Sequence, residues 1–162
     1  DSIFISPISN NSTESQAADD IKIELESSII NENILKLLPL EDSGSKLEII
    51  LLNVTDLPYS YTTQNISSIG YETLNEKEIK ISVKVTWYDL IDNLLLFDKM
   101  FSGSGIYDPN QEDIGSDGID NDNDTYIDTD DDDEFGPSRE SAIKIASKKI
   151  SNQIINEIVS TW

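Results

Sequence analysis

The segment from Glu78 to Trp87, "EIKISVKVTW", constrains the fold more than any other part of the chain. Its apolar residues stand at every second position, with polar residues between them. Successive side chains of a β-strand point to opposite faces of a sheet, so this alternation predicts a strand with one buried and one solvated face. The predicted inward set is Ile79, Ile81, Val83, Val85 and Trp87, and the outward set is Lys80, Ser82, Lys84 and Thr86.

The C-terminal segment follows a helical period instead. Gly136 and Pro137 disfavour regular secondary structure, and Ser138, which follows them, is a candidate N-cap. Apolar residues then recur at steps of three and four, which is typical of one face of a helix. These residues are Ile143, Ala146, Ile150, Ile154 and Ile158.

The N-terminal part contains a second strand and helix. "SIFISPI" (Ser2 to Ile8) alternates apolar and polar residues and predicts a short strand. Ala18, Ile21, Leu25 and Ile29 follow at steps of three, four and four, which favours a helix. A strand over Ile21 to Leu25 is the alternative, because apolar residues also alternate there.

The remaining segments predict further strands. "ILKLLPL" is a short strand candidate, "KLEIILLNVTDL" is a longer one, and "LLLFDKMFSGSGIYD" returns the chain in a hairpin after the turn "DLIDN". The polar residues 58 to 75 suggest a long hairpin tip or loop. We therefore expect a single α+β domain over residues 1–162. It would be a two-layer sandwich of two helices packed on one face of a four- to five-stranded mixed or antiparallel sheet.

Composition limits the chemistry. The chain has no cysteine, which excludes disulfides and cysteine-ligated zinc, and no histidine, the commonest general base. We also find no phosphate-binding glycine loop and no nucleophile elbow, so we expect a protein that is not an enzyme. Any metal site must use oxygen ligands. There is no run of 18 apolar residues, so we expect no membrane-spanning helix.

The charge is concentrated in one segment. The formal net charge is −21, which argues against a nucleic-acid partner. Thirteen of the 32 acidic residues lie between Asp108 and Glu134, a stretch without Lys or Arg. This acidic stretch forms an insert at about residues 108–136, between the last predicted strand and the last helix.

The spacing within the insert matches a twelve-position calcium loop that starts at Asp120. Calcium takes six to eight hard oxygen ligands, and alternate carboxylates on a coiled loop converge on one point. Magnesium prefers fewer protein ligands and keeps its waters, and a solvated acidic loop without a specific ion is the other alternative. The predicted ligands are Asp120, Asp122, Asp124, Tyr126 through its carbonyl, Asp128 and Asp131. Ile127 takes the eighth position, where an apolar residue points back toward the protein.

Three features depart from an EF-hand. Thr125 stands where the sharp turn takes glycine, Asp131 is shorter than the bidentate glutamate, and the preceding residues do not predict a helix. The segment more closely resembles the aspartate-rich strings of thrombospondin type 3 repeats. Additional carboxylates, among them Asp117 and Asp133, leave room for a second ion. We expect any bound calcium to be structural.

The rest of the chain resembles the LptE-like lipopolysaccharide-assembly lipoproteins. The opening "IFISPISNNSTESQAADDIKIELESSIINENILKLL" is similar to that family's first strand, helix and following strand. "KLEIILLNVTDL" resembles its second sheet segment, and "EIKISVKVTWYDLIDNLLLFDKMFSGSGIYD" its long hairpin. "ESAIKIASKKISNQIINEIVSTW", ending at Trp162, is similar to its last helix. The resemblance covers nearly the whole chain outside the acidic insert.

This resemblance implies a lipid-anchored protein on the periplasmic face of the outer membrane. Its partners would be an LptD-type β-barrel, which family members plug, and lipopolysaccharide. The lipidated cysteine would lie upstream of Asp1. Candidate lipopolysaccharide contacts are Lys80, Lys84, Lys144, Lys148 and Lys149, although for each of them a solvated lysine is the favoured explanation. The alternative function is a calcium-dependent envelope or secreted binding module.

Overall fold

In the computed structural model, which describes residues 2–66, 69–127 and 135–161, the chain has an α+β fold. Two helices pack against a mixed, open sheet, so the predicted fold class is confirmed. The strands are β1 (Ser2–Ile5), β2 (Ser9–Asn10), β3 (Lys36–Leu37), β4 (Ser45–Ile66), β5 (Ile69–Asp89) and β6 (Leu94–Tyr107); the helices are α1 (Ser15–Asn31) and α2 (Ser138–Thr161). Short 3₁₀ turns lie at Leu40–Asp42 and Ile114–Ser116.

The sheet is mixed: one edge consists of parallel strands around β1, and the other consists of consecutive strands joined by hairpins. The strand order is β3-β1-β4-β5-β6, with β2 also paired to β4. β1 runs parallel to both neighbours, and Ile3 pairs with Leu37 on one side and Ser45 on the other. Two hairpins join β4, β5 and β6. The sheet has six strands, of which β2 and β3 are only two residues long. β3 lies within the predicted short strand "ILKLLPL", whereas β2 is too short for a sequence period to show.

The chain divides into two compact units, of which the first comprises Asp1–Val54, Ile81–Gly103 and Ser147–Trp162. Its core contains the inward face predicted for β5 from Ile81 onward, the apolar stripe of α1, and Ile150, Ile154 and Ile158 of α2. In α1 the first buried residue is Ala17, not the predicted Ala18, since position 17 lies one full step of four before Ile21. The serine hydroxyl of Ser151 donates to the Ile21 carbonyl at 3.2 Å and links α2 to α1.

The second unit comprises Thr55–Lys80 and Ser104–Ala146. Here β4 and β5 continue as a two-stranded arm, so of the two alternatives predicted for residues 58–75 the long hairpin is confirmed and the loop is wrong. The side chains from Thr55 to Thr63 are exposed or partly exposed, so this part of the arm has no buried face to distinguish a strand from a loop. Leu57, Tyr59 and Tyr61 are exposed on one of its faces.

Helix α2 lies very close to β6 in the second unit. A methyl group on Gly105 would lie 2.4 Å from the carbonyl oxygen of Ala142. Only glycine allows the strand backbone to approach the helix backbone at this distance. Gly105 belongs to the "FSGSGIY" segment of the hairpin, and this contact explains why a glycine stands there.

Candidate metal centre

The connection between β6 and α2 is a loop whose two ends are hydrogen-bonded to each other. The Ile114 amide donates to the Gly136 carbonyl at 2.9 Å, and the Ser138 amide donates to the Glu112 carbonyl at 3.2 Å. The Ser138 hydroxyl donates to the carbonyl of Gln111 at 2.9 Å. This hydroxyl therefore closes the base of the loop. Ser138 is the first residue of α2 and not the predicted N-cap.

Two side chains reinforce this closure. One carboxylate oxygen of Asp113 accepts hydrogen bonds from the amides of Gly115 at 2.9 Å and Gly136 at 3.3 Å. Ile114 is fully buried. Sequence reasoning did not single out either residue. The available signal was that Ile114 is the one large aliphatic side chain between Asp108 and Gly118.

Asn121 attaches the acidic loop to the end of β6. Its side-chain amide donates to the Ile106 carbonyl at 2.7 Å and to the Asp117 carboxylate at 3.1 Å. The backbone carbonyl of Asn121 accepts a hydrogen bond from the Ile106 amide at 2.9 Å. Asn121 is fully buried, so the loop is docked and not simply solvated along its length. The sequence analysis did not single out Asn121.

Asp120, Asp122 and Asp124 form the centre of the predicted site. One carboxylate oxygen from each lies within 4.8 Å of the others, and among the described residues this is the one such group of acidic side chains. Asp120 and Asp122 are partly buried and Asp124 is exposed. The structure thus brings together the first, third and fifth positions of the predicted calcium loop.

Backbone hydrogen bonds coil the loop around these carboxylates. The Asp120 carboxylate accepts from the amides of Asp124 and Thr125, both at 2.9 Å. The Asp124 carboxylate accepts from the Tyr126 amide at 2.9 Å. A carboxylate has about four acceptor sites, so these bonds orient Asp120 and Asp124 and leave lone pairs for a cation.

The coil requires two residues with left-handed backbone. Asn123 has φ +64° and Thr125 has φ +88°. Asparagine tolerates this region, but for a β-branched residue it is strained. Thr125 occupies the sixth position, where calcium loops use glycine for the sharp turn. The structure therefore makes the sharp turn at the position where the sequence departs from glycine, and Thr125 is strained in that turn.

Asp117 lies outside the three-carboxylate cluster. Its oxygens accept hydrogen bonds from the amide of Ile119 at 2.9 Å and from Asn121 at 3.1 Å. A longer bond of 3.4 Å comes from the Asp108 amide. Asp117 thus holds the start of the loop, and the second ion predicted for it stays a prediction, because its predicted co-ligand Asp133 lies outside the described residues.

The rest of the predicted ligand set is only partly described. Tyr126 is 58% exposed, and its amide donates to the Asp124 carboxylate at 2.9 Å. The expectation that Ile127 packs back on the protein is wrong, since 44% of this residue is exposed. The predicted ligands Asp128, Asp131 and Asp133 lie outside the described residues.

Three converging carboxylates repel one another unless a cation lies between them. Two unit charges about 4 Å apart cost roughly 1 kcal/mol in water and more where solvent is excluded. The donor set consists entirely of hard oxygens, which suits Ca²⁺ or Mg²⁺ and does not suit zinc or copper. The residues present therefore fit a calcium ion at the centre of the coil.

A second polar cluster in the same unit links the base of the arm to α2. Tyr107 donates its phenolic hydrogen to Asp56 at 3.0 Å, and Arg139 Nε donates to the other oxygen of that carboxylate at 3.1 Å. The pKa of Tyr107 is raised to about 12, first by burial and then by the Asp56 carboxylate, while Arg139 opposes the shift. The phenol is therefore a structural hydrogen-bond donor and not a base near neutral pH.

Two of the candidate lipopolysaccharide contacts, Lys84 and Lys144, interact with side chains of the protein itself. Lys84 forms an ion pair with Asp98 at 3.1 Å. The Lys144 ammonium lies 5.5 Å from the centre of the Phe135 ring. Neither contact is specific for a phosphate ligand, so the structure does not distinguish these lysines from solvated ones.

Comparison with known proteins identifies the fold and no family. No protein-family model and no curated protein matches the sequence. The chain is similar in structure to protein XCC0632 from Xanthomonas campestris, of family DUF330 (TM-score 0.56, 8% identity, 99% of this chain and 84% of that one). It is also similar to the hypothetical protein CT253 from Chlamydia trachomatis (TM-score 0.51, 11% identity, 98% and 92%). A minor lipoprotein from Acinetobacter baumannii matches less well (TM-score 0.46, 12% identity, 94% and 91%).

At these identities the two better matches establish a shared fold and carry no information about ligands. Within the described part of the chain, neither helix combines the length and the apolar character needed to cross a bilayer.

Proposed function

We propose that this chain is a non-enzymatic subunit of the bacterial cell envelope whose acidic loop holds a structural calcium ion. The observation that carries the calcium proposal is the convergence of Asp120, Asp122 and Asp124 on a coiled loop that is closed at its base. The ion would neutralise the cluster and keep the connection between β6 and α2 in one conformation. Calcium is favoured over magnesium because the predicted loop offers more than three protein oxygens.

The cellular role rests on the resemblance to the LptE-like lipoproteins. We propose an outer-membrane lipoprotein on the periplasmic face that binds and plugs an LptD-type β-barrel and assists lipopolysaccharide delivery. What supports this proposal is an α+β fold of the class that the resemblance implies, with two helices packed against a mixed sheet. The acidic loop would then be a local stabiliser, inserted at a surface connection that tolerates additions.

The second candidate is a calcium-dependent binding module of the envelope or of a secreted protein. The observation that favours it is the exposure of the site: Asp124 and Tyr126 are both exposed, so an ion in the coil would be accessible to oxygen ligands from a partner. Phosphate groups of lipopolysaccharide are one such ligand, because the bound cation would offset the repulsion between them and the aspartates.

Co-purification separates the two candidates. The immobilised chain is exposed to detergent-solubilised outer membranes from its own source, in calcium and in chelator, and the retained proteins are identified. A large β-barrel retained in both conditions supports the translocon subunit. A partner retained only in calcium supports the binding module, and the absence of a barrel in both conditions contradicts the translocon subunit.

Terbium luminescence tests the metal site by itself. Tb³⁺ takes the same oxygen ligands as calcium, and Tyr126 lies within the loop as a sensitiser. We expect luminescence that calcium competes away and that the D120N/D122N/D124N variant lacks. Equal luminescence from that variant would contradict the site.

A further inference from the structure

The turn between β5 and β6 exposes four large apolar side chains in six residues. Leu90, Ile91, Leu94 and Leu95 are 40%, 81%, 56% and 57% exposed. Soluble proteins expose single apolar residues freely, but a contiguous group of this kind is unusual and commonly marks a binding surface. We call Leu90 to Leu95 the apolar tip.

The apolar tip is held in one conformation by polar groups at its base. The Asp89 carboxylate accepts hydrogen bonds from the amides of Ile91 at 2.7 Å and Asp92 at 3.0 Å. Asn93 has φ +53°, a conformation that asparagine tolerates in turns. A preformed turn presents its side chains without an ordering cost on binding.

The tip lies beside the first residues of the chain, within the same compact unit. The Leu90 amide donates to the Gly44 carbonyl at 2.9 Å, and the Gly44 amide donates to the Ser2 hydroxyl at 2.9 Å. A methyl group on Gly44 would lie 3.5 Å from Ile91 Cδ1 and 3.7 Å from the Ser2 hydroxyl oxygen. The Ser45 hydroxyl also donates to the Ser2 carbonyl at 2.9 Å, so hydrogen bonds hold both the hydroxyl and the carbonyl of Ser2.

We propose that the apolar tip contacts the lipid surface to which the N-terminus is anchored. This inference rests on the proposed lipid anchor upstream of Asp1, because an anchor there brings the bilayer next to Ser2 and therefore next to Ile91. Leucine and isoleucine side chains enter the boundary between headgroups and acyl chains. The tip would be a second contact that limits how the anchored domain tilts.

Charge favours a zwitterionic lipid over an anionic one. From Asp89 to Asp98 the sequence contains three aspartates and no lysine or arginine. Anionic headgroups attract basic residues near the surface, and this tip has none to offer. The contact is therefore apolar, with phosphatidylcholine or phosphatidylethanolamine as its proposed partner.

Depth-dependent fluorescence quenching tests this contact. The chain has no cysteine, so one cysteine can be introduced and labelled with an environment-sensitive dye. The test variant is Ile91→Cys and the matched control is Asn152→Cys, an exposed position on α2 in the same unit. The full chain is tethered to phosphatidylcholine vesicles by an N-terminal histidine tag on a nickel-chelating lipid, with doxyl-labelled lipid as quencher.

We expect the dye at position 91 to shift to the blue and to be quenched, and the dye at position 152 to do neither. Adding Leu94→Ser and Leu95→Ser should reduce the membrane-inserted fraction by roughly tenfold per side chain. No response at position 91, or an equal response at both positions, overturns the inference. A concentration-dependent blue shift without vesicles overturns it as well, because it would assign the tip to a second copy of the chain.

The artificial tether keeps this test separate from the proposed function. Mass spectrometry of the native protein determines whether an N-terminal lipid is present. A native protein without lipid contradicts the lipoprotein proposal, whatever the dye reports. A lipidated native protein whose tip stays in water when tethered contradicts only the inference about the tip.

Discussion

Thr125 has a left-handed backbone, with φ +88°, in a loop position that calcium sites give to glycine. Strain of this kind costs about 1–3 kcal/mol, part of which a glycine returns as extra entropy in the flexible state. We therefore expect Thr125→Gly to strengthen calcium binding by about 1 kcal/mol, which is roughly fivefold in affinity. A calcium titration of the two proteins measures the difference.

The matched control for that substitution is Asn123→Gly. Asn123 also has positive φ, but asparagine tolerates the region, so this change should alter the affinity far less. Equal effects of the two substitutions would show that loop flexibility and not strain at Thr125 sets the affinity.

Tyr107 gives the fold a dependence on alkaline pH. Its pKa is raised to about 12, whereas tyrosines in the unfolded chain titrate near 10. Between these values the unfolded state binds fewer protons than the folded state, so stability falls as the pH rises. We expect Tyr107→Phe to be less stable than the native protein below pH 10, by about 1 kcal/mol for the lost hydrogen bond.

The difference between these two proteins should shrink as the pH rises from 10 to 12, because only the native protein has this phenol to deprotonate. Urea unfolding at several pH values in that window measures it. A difference that stays constant across the window would show that Tyr107 is not the titrating group.

At the scale of elements, the contact between β6 and α2 depends on Gly105. A side chain there would meet the Ala142 carbonyl at 2.4 Å, and backbone cannot move aside as a flexible side chain can. We expect Gly105→Ala to lower the free energy of unfolding by about 2–3 kcal/mol, the upper range for overpacking. Thermal unfolding measures the loss.

Gly44→Ala is the control for this prediction. Its added methyl group would meet neighbours at 3.5 Å or beyond, which is ordinary van der Waals contact. A loss at Gly44 as large as that at Gly105 would contradict the close-approach explanation.

Sequence periodicity predicted the elements whose apolar faces are buried. Ile81, Val83 and Val85 alternate along β5 and are all fully buried. Ile150 and Ile154 follow the helical period of α2 and are fully buried too. For the arm of β4 and β5 the same reasoning left hairpin and loop open, because Leu57, Tyr59 and Tyr61 alternate over only five residues and are all exposed.

At the scale of the whole molecule, the sequence predicted which residues could hold a cation but not how they are held. The alternate spacing of Asp120, Asp122 and Asp124 is a local property, and the structure brings these three together. The anchoring of the loop depends on contacts between distant residues, such as Asn121 with Ile106 and Ile114 with Gly136. No spacing rule contains such contacts, which is also why the hydrogen bonds that Asp117 accepts from Ile119 and Asn121 were not predicted.

We propose that the acidic loop is a specific calcium site, and isothermal titration of calcium into the full chain tests this proposal. The decisive variant is D120N/D122N/D124N. Its control, D19N/D42N/D92N, removes the same three charges from exposed positions outside the loop. We predict one saturable site with a dissociation constant on the order of 10⁻⁴ to 10⁻³ M or tighter, kept in the control and lost in the loop variant. Equal, weak and unsaturable binding by all three proteins would contradict the claim, because it would reduce the loop to a solvated acidic surface.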